Sequence, residues 1–581
     1  MKSDRSDLTA KPTPRLHFSD LAAALFGADS RAELTGRWIV FFITFCLALA
    51  VSLVIRRPDA LFHPQFWAED GNLLFYQQFY GESSLLKPYA GYLLLIPRAV
   101  ARLADLFPVS RAPLIYNIFA TVLASICSAW FALPYFRHII RDDKLRVIVC
   151  ILIALMPTAG TILLNLVNIQ WYLHIWCCLV CLQPFPESKS KLAFPGIYLV
   201  CLFSSVLGGI LIPVWILRAV LLRKDRAASI ILAVIHGAYA AVIKTWLNPA
   251  PDNYNLSQSF NNIMTTIKLI ITRVGMMSIL GPKIMEYNIP HQNYIFIISG
   301  LILAGLILIL IRRARFQPRF LIQTALLAYL IFSSVALLVL FRTQDPPEDL
   351  YFTVGGARYF IFATALFYLG LLNVLDKLKD DRWLKSCALI ILLILGITVA
   401  RHLFYVETFE DLQWPRWAAG LEQARRSQAR FPADIPINPR PWVIPGSGHL
   451  PSDTVSLALT AEPQFVNQME RTEKGWRALG NNSSLGFGIK ETKYIYAFRL
   501  RYALRGAGPP ACQAQVHWRS FPEEAFRHDY KLHVLPQTKG EETEKMVWIL
   551  DKLTNLQIEI IGPECDFKVL EILALASPHK I

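Results

Sequence analysis

The feature that most constrains this chain is a series of long apolar segments separated by short, basic loops. A run of about 20 apolar residues has the length that an α-helix needs to cross the hydrocarbon core of a bilayer. Only 17% of the 581 residues are charged, and 54% are hydrophobic. A soluble domain would carry about 25% charged residues. We therefore expect an all-α, polytopic membrane domain that crosses a lipid bilayer several times.

The clearest predicted spans are Trp38–Ile55, Pro113–Phe136, Val147–Met156, Trp171–Leu182, Ala227–Leu247, Tyr294–Ile311, Phe320–Phe341, Arg358–Leu375 and Leu384–Phe404. Residues 193–222 are too many for one ordinary span, and they include Gly208, Gly209 and Pro213. Two short helices that meet at the glycines would explain this segment. The prediction is then about eleven transmembrane helices, which follow a tail at residues 1–37 and fill residues 38–411.

The basic residues behind the net charge of +15 cluster in the loops. The N-terminal tail and the loops at 137–146, 312–319 and 377–385 fall on one side of the predicted spans, and the positive-inside rule makes that side cytoplasmic. We expect a bacterial inner membrane, with the N-terminus in the cytoplasm and the C-terminal domain in the periplasm. No nucleic-acid-binding motif accompanies the charge, so nucleic acid is not an expected partner. Arg56 and Arg57 run against the rule, because they follow the first span on its outer side.

The ten cysteines form two groups. Eight lie in or beside apolar spans, and the cluster Cys177, Cys178 and Cys181 is interpreted as packing, because no second ligand pair for a metal accompanies it. Cys512 and Cys565 are the two in the C-terminal region. A periplasmic location favours a disulfide between them, and two free thiols are the alternative.

Beyond the membrane domain, residues 412–451 are predicted to be a Pro-rich linker and residues 452–581 a β-sandwich in the periplasm. The predicted strands are Lys493–Tyr502, Gln513–Trp518, Tyr530–Leu535, Met546–Leu550, Leu556–Ile561 and Phe567–Leu575. Short alternating segments bounded by turn residues are typical of small antiparallel sandwiches. Such a domain can bind glycans, or it can serve only as a structural cap.

The predicted outer loop at residues 56–112 carries an acidic pair, Glu69 and Asp70, among aromatic residues. A carboxylate in partly apolar surroundings has a raised pKa and can accept a proton from an alcohol. Aromatic faces suit sugar rings, and nearby basic side chains suit phosphate. Two alternatives stay open: Asp70 can cap a helix, and the aromatic residues can form an ordinary belt at the membrane interface.

A carboxylate in the first outer loop, next to the first span and followed by a surface helix, resembles the GT-C superfamily of membrane glycosyltransferases. The odd number of predicted spans and the outer C-terminal domain are similar as well. The resemblance covers most of residues 38–411, although the matching motif is short. It implies a polyprenyl-phosphate-linked sugar as donor and the loop carboxylate as catalytic base. By position this role falls on Asp70, with Glu69 as the second choice.

The resemblance also implies basic residues at the outer face that bind the leaving phosphate. We prefer Arg358, since two glycines precede it and it opens a predicted helix, although its side chain can instead snorkel to the interface. The other phosphate-binding candidates are Tyr359, Lys87, Arg98 and Arg342. The expected substrate pocket contains Trp67, Tyr89, Asn168, Trp171 and His174. His174 can alternatively satisfy a hydrogen bond in the helix core.

The expected activity is inverting transfer of a sugar to a cell-envelope glycan or lipid acceptor at the periplasmic face. No cofactor is expected. The second acidic pair of the metal-dependent oligosaccharyltransferase members is not found, which argues against metal use without excluding a metal ion. A polymerase acting on lipid-linked glycans is one alternative, and a non-enzymatic flippase or exporter is another. The centres of the predicted spans carry few charges, which favours chemistry at one surface over transport.

Overall fold

The computed structural model describes residues 18–27, 34–89, 92–156, 163–185, 193–205, 207–243, 259–280, 318–341, 356–377, 383, 386, 390, 393–394, 396–397, 408–426, 431, 434–439, 442–446, 455–459, 462–472, 475–479, 483–505, 512–519, 534–535, 542–561 and 565–576. The chain divides into two compact units, which we call the membrane unit (Met1–Ala418) and the β unit (Ala419–Ile581).

The membrane unit is mostly helical. Its helices are α1 (Phe18–Phe26), α2 (Gly36–Arg56), α3 (Asp59–Phe62), α4 (Tyr76–Phe79), α5 (Leu95–Ala104), α6 (Ala112–Ala129), α7 (Asp143–Ala154), α8 (Ile169–Leu182), α9 (Ala193–Leu202), α10 (Ile212–Leu221), α11 (Arg226–Val242), α12 (Ser259–Leu269), α13 (Met277–Leu280), α14 (Pro318–Phe341) and α15 (Ile361–Lys377), followed by α16 (Trp414–Arg426) at the unit boundary. Single turns of π- or 3₁₀-helix extend several of them, including Asp70–Phe75 and Ala357–Phe360.

Four helical stretches in the described part of the chain are long and apolar enough to cross a membrane. They are Gly36–Arg56, Val109–Ala132, Pro318–Leu340 and Arg358–Lys377, and each coincides with a predicted span. Three more apolar helices are shorter, at Ile169–Leu182, Gly208–Leu221 and Arg226–Val242. The predicted span Tyr294–Ile311 lies outside the described residues, and Leu384–Phe404 is described only at single positions. The membrane character is thus supported, while the number of about eleven spans stays a prediction.

Burial separates peripheral from central helices. Only 11% of the apolar stretch within Gly36–Arg56 is buried, whereas 67% of the apolar stretch within Arg358–Lys377 is buried. All residues of α8 are buried. Because apolar side chains that face lipid need no protein partner, α2 can lie at the edge of the unit while α8 and α15 form its centre. The predicted pair of short helices at 193–222 is present as α9 and α10, with Gly208 and Gly209 in the turn that precedes α10.

The segments expected on the cytoplasmic side contact one another at one end of the unit. Arg319 pairs with Asp20 at 3.4 Å. The backbone N–H groups of Arg141 and Asp142 donate to the carboxylate of Asp376, each at 3.1 Å. The predicted tail is also partly folded, because α1 buries its residues Ala22–Phe26. Its small and apolar residues pack on other helices, an outcome that the charged flanks of this segment concealed in the sequence.

The β unit contains strands β1 (Ile435–Pro436), β2 (Val443–Ile444), β3 (Val455–Leu459), β4 (Phe465–Asn467), β5 (Met469–Thr472), β6 (Gly475–Ala478), β7 (Ser483–Arg505), β8 (Gln513–Arg519), β9 (Val534–Leu535), β10 (Thr543–Ile561) and β11 (Asp566–Ala576). Nine of them form one antiparallel sheet in the order β5-β6-β11-β7-β10-β8-β9, with β3 paired to β11 and β4 paired to β7. A C-terminal β-rich domain is therefore present, whereas a two-sheet sandwich stays a prediction.

Two details of the β unit differ from the sequence prediction. Met546–Leu550 and Leu556–Ile561 belong to one strand, β10, whose pairing with β7 shifts register between Trp548 and Asp551. The segment predicted as a linker includes α16 and the paired strands β1 and β2.

Cys512 and Cys565 form a disulfide, with their Cα atoms 5.9 Å apart.

Candidate functional site

The acidic pair follows α2 after a short turn. The backbone at Ala68 adopts φ = 33°, a left-handed conformation that costs energy for a residue with a Cβ atom. Glu69 then precedes the π-helical turn Asp70–Phe75. Left-handed alanine is uncommon, and the conformation turns the chain so that both carboxylates enter the protein: Asp70 is 1% and Glu69 8% exposed.

Asp70 is held by backbone amides from a distant segment. The N–H of Leu166 donates to its Oδ2 at 2.8 Å, and the N–H of Val167 donates to its Oδ1 at 2.7 Å. Burial raises the pKa of Asp70 from 3.8 to about 7, although these two amide bonds and the nearby Arg57 oppose the rise. Asp70 therefore accepts hydrogen bonds from Leu166 and Val167 and does not cap the helical turn that it begins. We call this contact the Asp70 clamp.

The clamped segment leads directly into α8. Leu164 has φ = 60°. Each of the two segments that the clamp joins therefore contains a non-glycine residue in the left-handed conformation, Ala68 in one and Leu164 in the other. The side-chain amide of Asn168 donates to Oδ1 of Asn165 at 2.6 Å, and Asn168 is 2% exposed. The predicted pocket residue Asn168 therefore orders the turn before α8 and lies beside the acidic pair.

Glu69 has a different environment from Asp70. The Tyr89 hydroxyl donates to its Oε1 at 3.4 Å. Its Oε2 is buried and has no hydrogen-bond partner among the described residues. Burial raises the pKa of the Tyr89 hydroxyl, the charge of Glu69 raises it further, and Arg358 opposes the rise. Glu69 and Arg358 therefore both lie within electrostatic range of the Tyr89 hydroxyl.

The first two turns of α8 carry several buried polar atoms that have no hydrogen-bond partner in the described part of the chain. These atoms are Oε1 of Gln170, Nε1 of Trp171, the hydroxyl of Tyr172 and Nε2 of His174. Native proteins pair most buried polar atoms, so a cluster of unpaired ones in a helix indicates a surface that receives a ligand or water. His174 also bonds to the Ser205 hydroxyl at 2.8 Å through Nδ1, so the structural and the functional interpretation of this residue both keep support.

Arg358 and Tyr359 lie at the start of the helical segment that continues into α15. Gly356 precedes them with φ = 69°, which glycine adopts without strain. Arg358 donates to the hydroxyl of Tyr359 at 3.1 Å, and the Tyr359 ring lies 5.5 Å from that of Trp171 in an edge-to-face arrangement. Arg358, Tyr359 and Trp171 thus lie at the same end of the membrane unit as Glu69.

Other predicted site residues have different surroundings. The ammonium group of Lys87 donates to the carbonyl oxygen of Glu82 at 3.3 Å. Arg98 is 1% exposed and donates to Gln77 at 2.9 Å. Trp67 is stacked on Phe409, with ring centres 4.6 Å apart. Arg342 lies outside the described residues. Lys87, Arg98 and Trp67 therefore support the loop that carries the acidic pair.

Two arginines near the site were not among the predicted functional residues. Arg57 ion-pairs with Asp59 at 3.5 Å and donates to the carbonyl oxygen of Leu163, next to the Asp70 clamp. Arg56 precedes it at the end of α2 and is 3% exposed. Their violation of the positive-inside rule was the signal that could have identified them, because charges placed against that rule need another reason to be there.

The described residues contain no group of three or more His, Cys, Asp or Glu side chains that could hold a metal ion. The donors and acceptors at this end are instead carboxylate, hydroxyl, amide, indole and guanidinium groups. No protein-family model matches the chain, and neither does any curated protein, so the geometry of these side chains is what supports a functional assignment.

Proposed function

We propose that this protein is a membrane glycosyltransferase that moves a sugar from a polyprenyl-phosphate donor to a glycan or lipid acceptor of the cell envelope. The observation that carries the proposal is the pairing of two unlike carboxylates at one end of the membrane unit. Asp70 is fixed by two amides, while Glu69 keeps one oxygen without a partner. The fixed Asp70 holds the neighbouring Glu69 in place, and the free oxygen of Glu69 can then accept a proton from a substrate in a defined position.

In the proposed reaction, Glu69 accepts the proton of an acceptor hydroxyl. The hydroxyl oxygen attacks the anomeric carbon of the donor sugar, and the bond between that carbon and the phosphate oxygen breaks. The electron pair leaves with the polyprenyl phosphate, so the configuration at the anomeric carbon inverts. Arg358 is half-buried and close enough to affect Tyr89, and it can stabilise the leaving phosphate.

The two carboxylates receive separate roles in this proposal. The catalytic base is Glu69, whereas the position in the sequence favoured Asp70. Both oxygens of Asp70 already accept backbone N–H groups, and its side chain is 1% exposed. Glu69 is 8% exposed and has the unpartnered oxygen. A base needs a lone pair that reaches the substrate, so Glu69 is the better proton acceptor and Asp70 the positioning residue.

The wider arrangement is part of the same proposal. About eleven spans would place the acidic pair, Arg358 and the β unit on the periplasmic side of a bacterial inner membrane. The β unit would be a sandwich that contacts the glycan acceptor. Neither a metal nor an organic cofactor is required, because proton transfer and phosphate stabilisation can both come from side chains of this chain.

The test compares envelope glycans from a host that lacks the gene and carries either wild type or a variant. Glu69→Gln should abolish the transferred sugar, seen as a missing mass increment, because an amide accepts no proton. Asp70→Asn should lower transfer less. Glu82→Gln, an exposed carboxylate in the same loop, is the matched control and should transfer normally.

Each variant must reach wild-type abundance in the membrane. Wild-type glycan from the Glu69→Gln strain would refute Glu69 as the base. Loss of transfer in Asp70→Asn alone would return that role to Asp70. An unchanged glycan in the deletion strain would exclude the proposed function in that host.

A further inference from the structure

Arg56 is an unusual residue in this protein. It ends α2, its side chain is 3% exposed, and Nε, Nη1 and Nη2 of its guanidinium group all lack a hydrogen-bond partner in the described part of the chain. A guanidinium group is a permanent cation with five N–H donors and no acceptor. A buried cation without partners is strongly unfavourable, so evolution keeps one only where something else compensates it.

Arg218, another buried arginine of the membrane unit, has partners for both of its terminal nitrogens, although its Nε has none among the described residues. Arg218 is 0% exposed, yet it donates to the carbonyl oxygens of Cys181 and Gln183 and pairs with Asp225 at 2.7 Å. No described carboxylate pairs with Arg56 in this manner. The contrast shows that the fold can provide partners for an internal arginine, and that it does not do so at Arg56.

Another unpaired donor lies near Arg56. The Tyr172 side chain is 3% exposed, and its hydroxyl has no partner among the described residues. Tyr172 and Tyr368 are the side chains with which the Arg56 guanidinium interacts electrostatically. The Tyr368 hydroxyl already donates to the carbonyl oxygen of Ser278 at 3.2 Å. Arg56 and Tyr172 therefore present N–H and O–H donors without a nearby carboxylate, a set that matches the oxygens of an anion.

The position of this pair relates it to the acidic site. Arg57, the next residue, interacts electrostatically with Asp70. Tyr172 lies in the first turn of α8, which begins two residues after the Asp70 clamp at Val167, and it is about 4.5 Å along the helix axis from Ile169. An anion at Arg56 would therefore lie inside the bundle at the same end as the carboxylates.

We propose that Arg56 and Tyr172 form a buried oxyanion site that binds a phosphate group. This inference deepens the proposed function and rests on it for the nature of the carrier, since the same phosphate chemistry could belong to a prenyl phosphate or to free phosphate. The bound phosphate completes the hydrogen bonds of both side chains and neutralises the internal charge.

The test measures the melting temperature of the full-length protein in lipid nanodiscs with farnesyl phosphate, inorganic phosphate or farnesol. Wild type should be stabilised by farnesyl phosphate and not by farnesol, because the alcohol has the same chain without the anion. Stabilisation by farnesyl phosphate alone identifies a lipid source, and equal stabilisation by inorganic phosphate identifies a free anion. Both results support the site, whereas no effect of either phosphate, or an equal effect of farnesol, overturns it.

Variants separate binding from folding. Arg56→Met should weaken phosphate binding at least tenfold and raise the melting temperature of the ligand-free protein, because an unpaired charge is replaced by an apolar chain. Arg57→Met is the matched control and should lower that temperature, because it breaks the contacts with Asp59 and Leu163. Tyr172→Phe should weaken binding several-fold. Undiminished binding in Arg56→Met would refute the assignment.

A last variant distinguishes this inference from the proposed function. Glu69→Gln should keep phosphate binding while transfer is lost. Phosphate binding without transfer in wild type would retain the oxyanion site and reject the transferase. Transfer without phosphate binding at Arg56 would retain the transferase and reject the oxyanion site.

Discussion

The start of α8 and the centre of the β sheet are both buried, but they differ in the polar atoms that they contain and in whether those atoms have hydrogen-bond partners. The β-sheet core is a continuous apolar cluster that includes Phe498, Ile558 and Phe567. Buried polar side chains at its edge have partners in the sheet, as when Ser483 donates to the carbonyl oxygen of Gln468 at 2.6 Å and Gln557 donates to the Ser484 hydroxyl at 2.7 Å. At the start of α8, by contrast, consecutive buried side chains have polar atoms without partners.

This difference separates stability from function. Apolar burial stabilises a fold in proportion to area, whereas an unpaired buried polar atom costs free energy. A region that accepts such a cost in several neighbouring residues is organised around something other than its own stability. The β core should therefore respond to mutation with loss of folding, and under the proposed function the start of α8 should respond with loss of ligand binding.

The largest expected effect is in the β core. Phe498 is 0% exposed and lies in the central strand β7. Phe498→Ala should lower the free energy of unfolding of the β unit by about 3–5 kcal/mol, through lost burial and a residual cavity. Hydrogen exchange of peptides from β7, β10 and β11 in the full-length protein measures this change. Exchange rates like those of wild type would break the comparison by showing that the sheet is not held by its core.

The disulfide should rank next. The bond between Cys512 and Cys565 closes a loop across 53 positions of the sequence. Replacing both residues by Ala should cost roughly 2–5 kcal/mol, since the unfolded chain regains the freedom of that loop. The same exchange experiment applies, with reduced wild type as a second way to open the bond. Equal protection with and without the bond would mean that the apolar core alone is sufficient.

Asp70 supplies a pH test in the membrane unit. The folded group releases its proton at about pH 7, while the ordinary pKa is 3.8, so between these values the folded chain holds the extra proton. Its stabilising contribution is complete at low pH and is lost as pH rises through 7. Wild type should lose about 2–3 kcal/mol more stability than Asp70→Asn between pH 5 and pH 8. Parallel stability curves for the two proteins would exclude a raised pKa at Asp70.

The smallest expected effect compares two buried tyrosines of the membrane unit, one whose hydroxyl has hydrogen-bond partners and one whose hydroxyl has none among the described residues. Tyr198 is 0% exposed, and its hydroxyl bonds to His236 at 2.7 Å and accepts from Trp215 at 3.0 Å. Tyr198→Phe should destabilise the protein by about 1–2 kcal/mol, because both partners lose a hydrogen bond. Tyr172→Phe removes a hydroxyl that has no described partner and should change stability by less than about 0.5 kcal/mol. Thermal unfolding of the two variants in one lipid system makes the comparison direct.

Sequence reasoning located the helices best where one physical effect dominated. The four long apolar helices stand out because crossing a bilayer demands length and hydrophobicity from consecutive residues. The helix α1 was missed because its apolar run is short and its burial depends on tertiary contacts. The strand β10 was divided in two, since a register shift interrupts the alternation on which strand prediction depends.

The candidate site shows a similar limit. The acidic pair, Tyr89, Trp171 and Arg358 could be proposed from the sequence because their chemistry is visible in the residue types. The separate environments of Glu69 and Asp70 were not visible, because the amides that hold Asp70 come from Leu166 and Val167, far along the chain. Backbone donors leave no trace in side-chain identity.

The Asp70 clamp also sets an order of assembly. Its amides come 96 and 97 residues after the carboxylate in the chain. During synthesis, Asp70 emerges and must wait, hydrated and charged, until the turn before α8 arrives. Only then can the carboxylate give up water for the two N–H groups. This end of the membrane unit can consequently close only after α2, α6 and α7 have been synthesised.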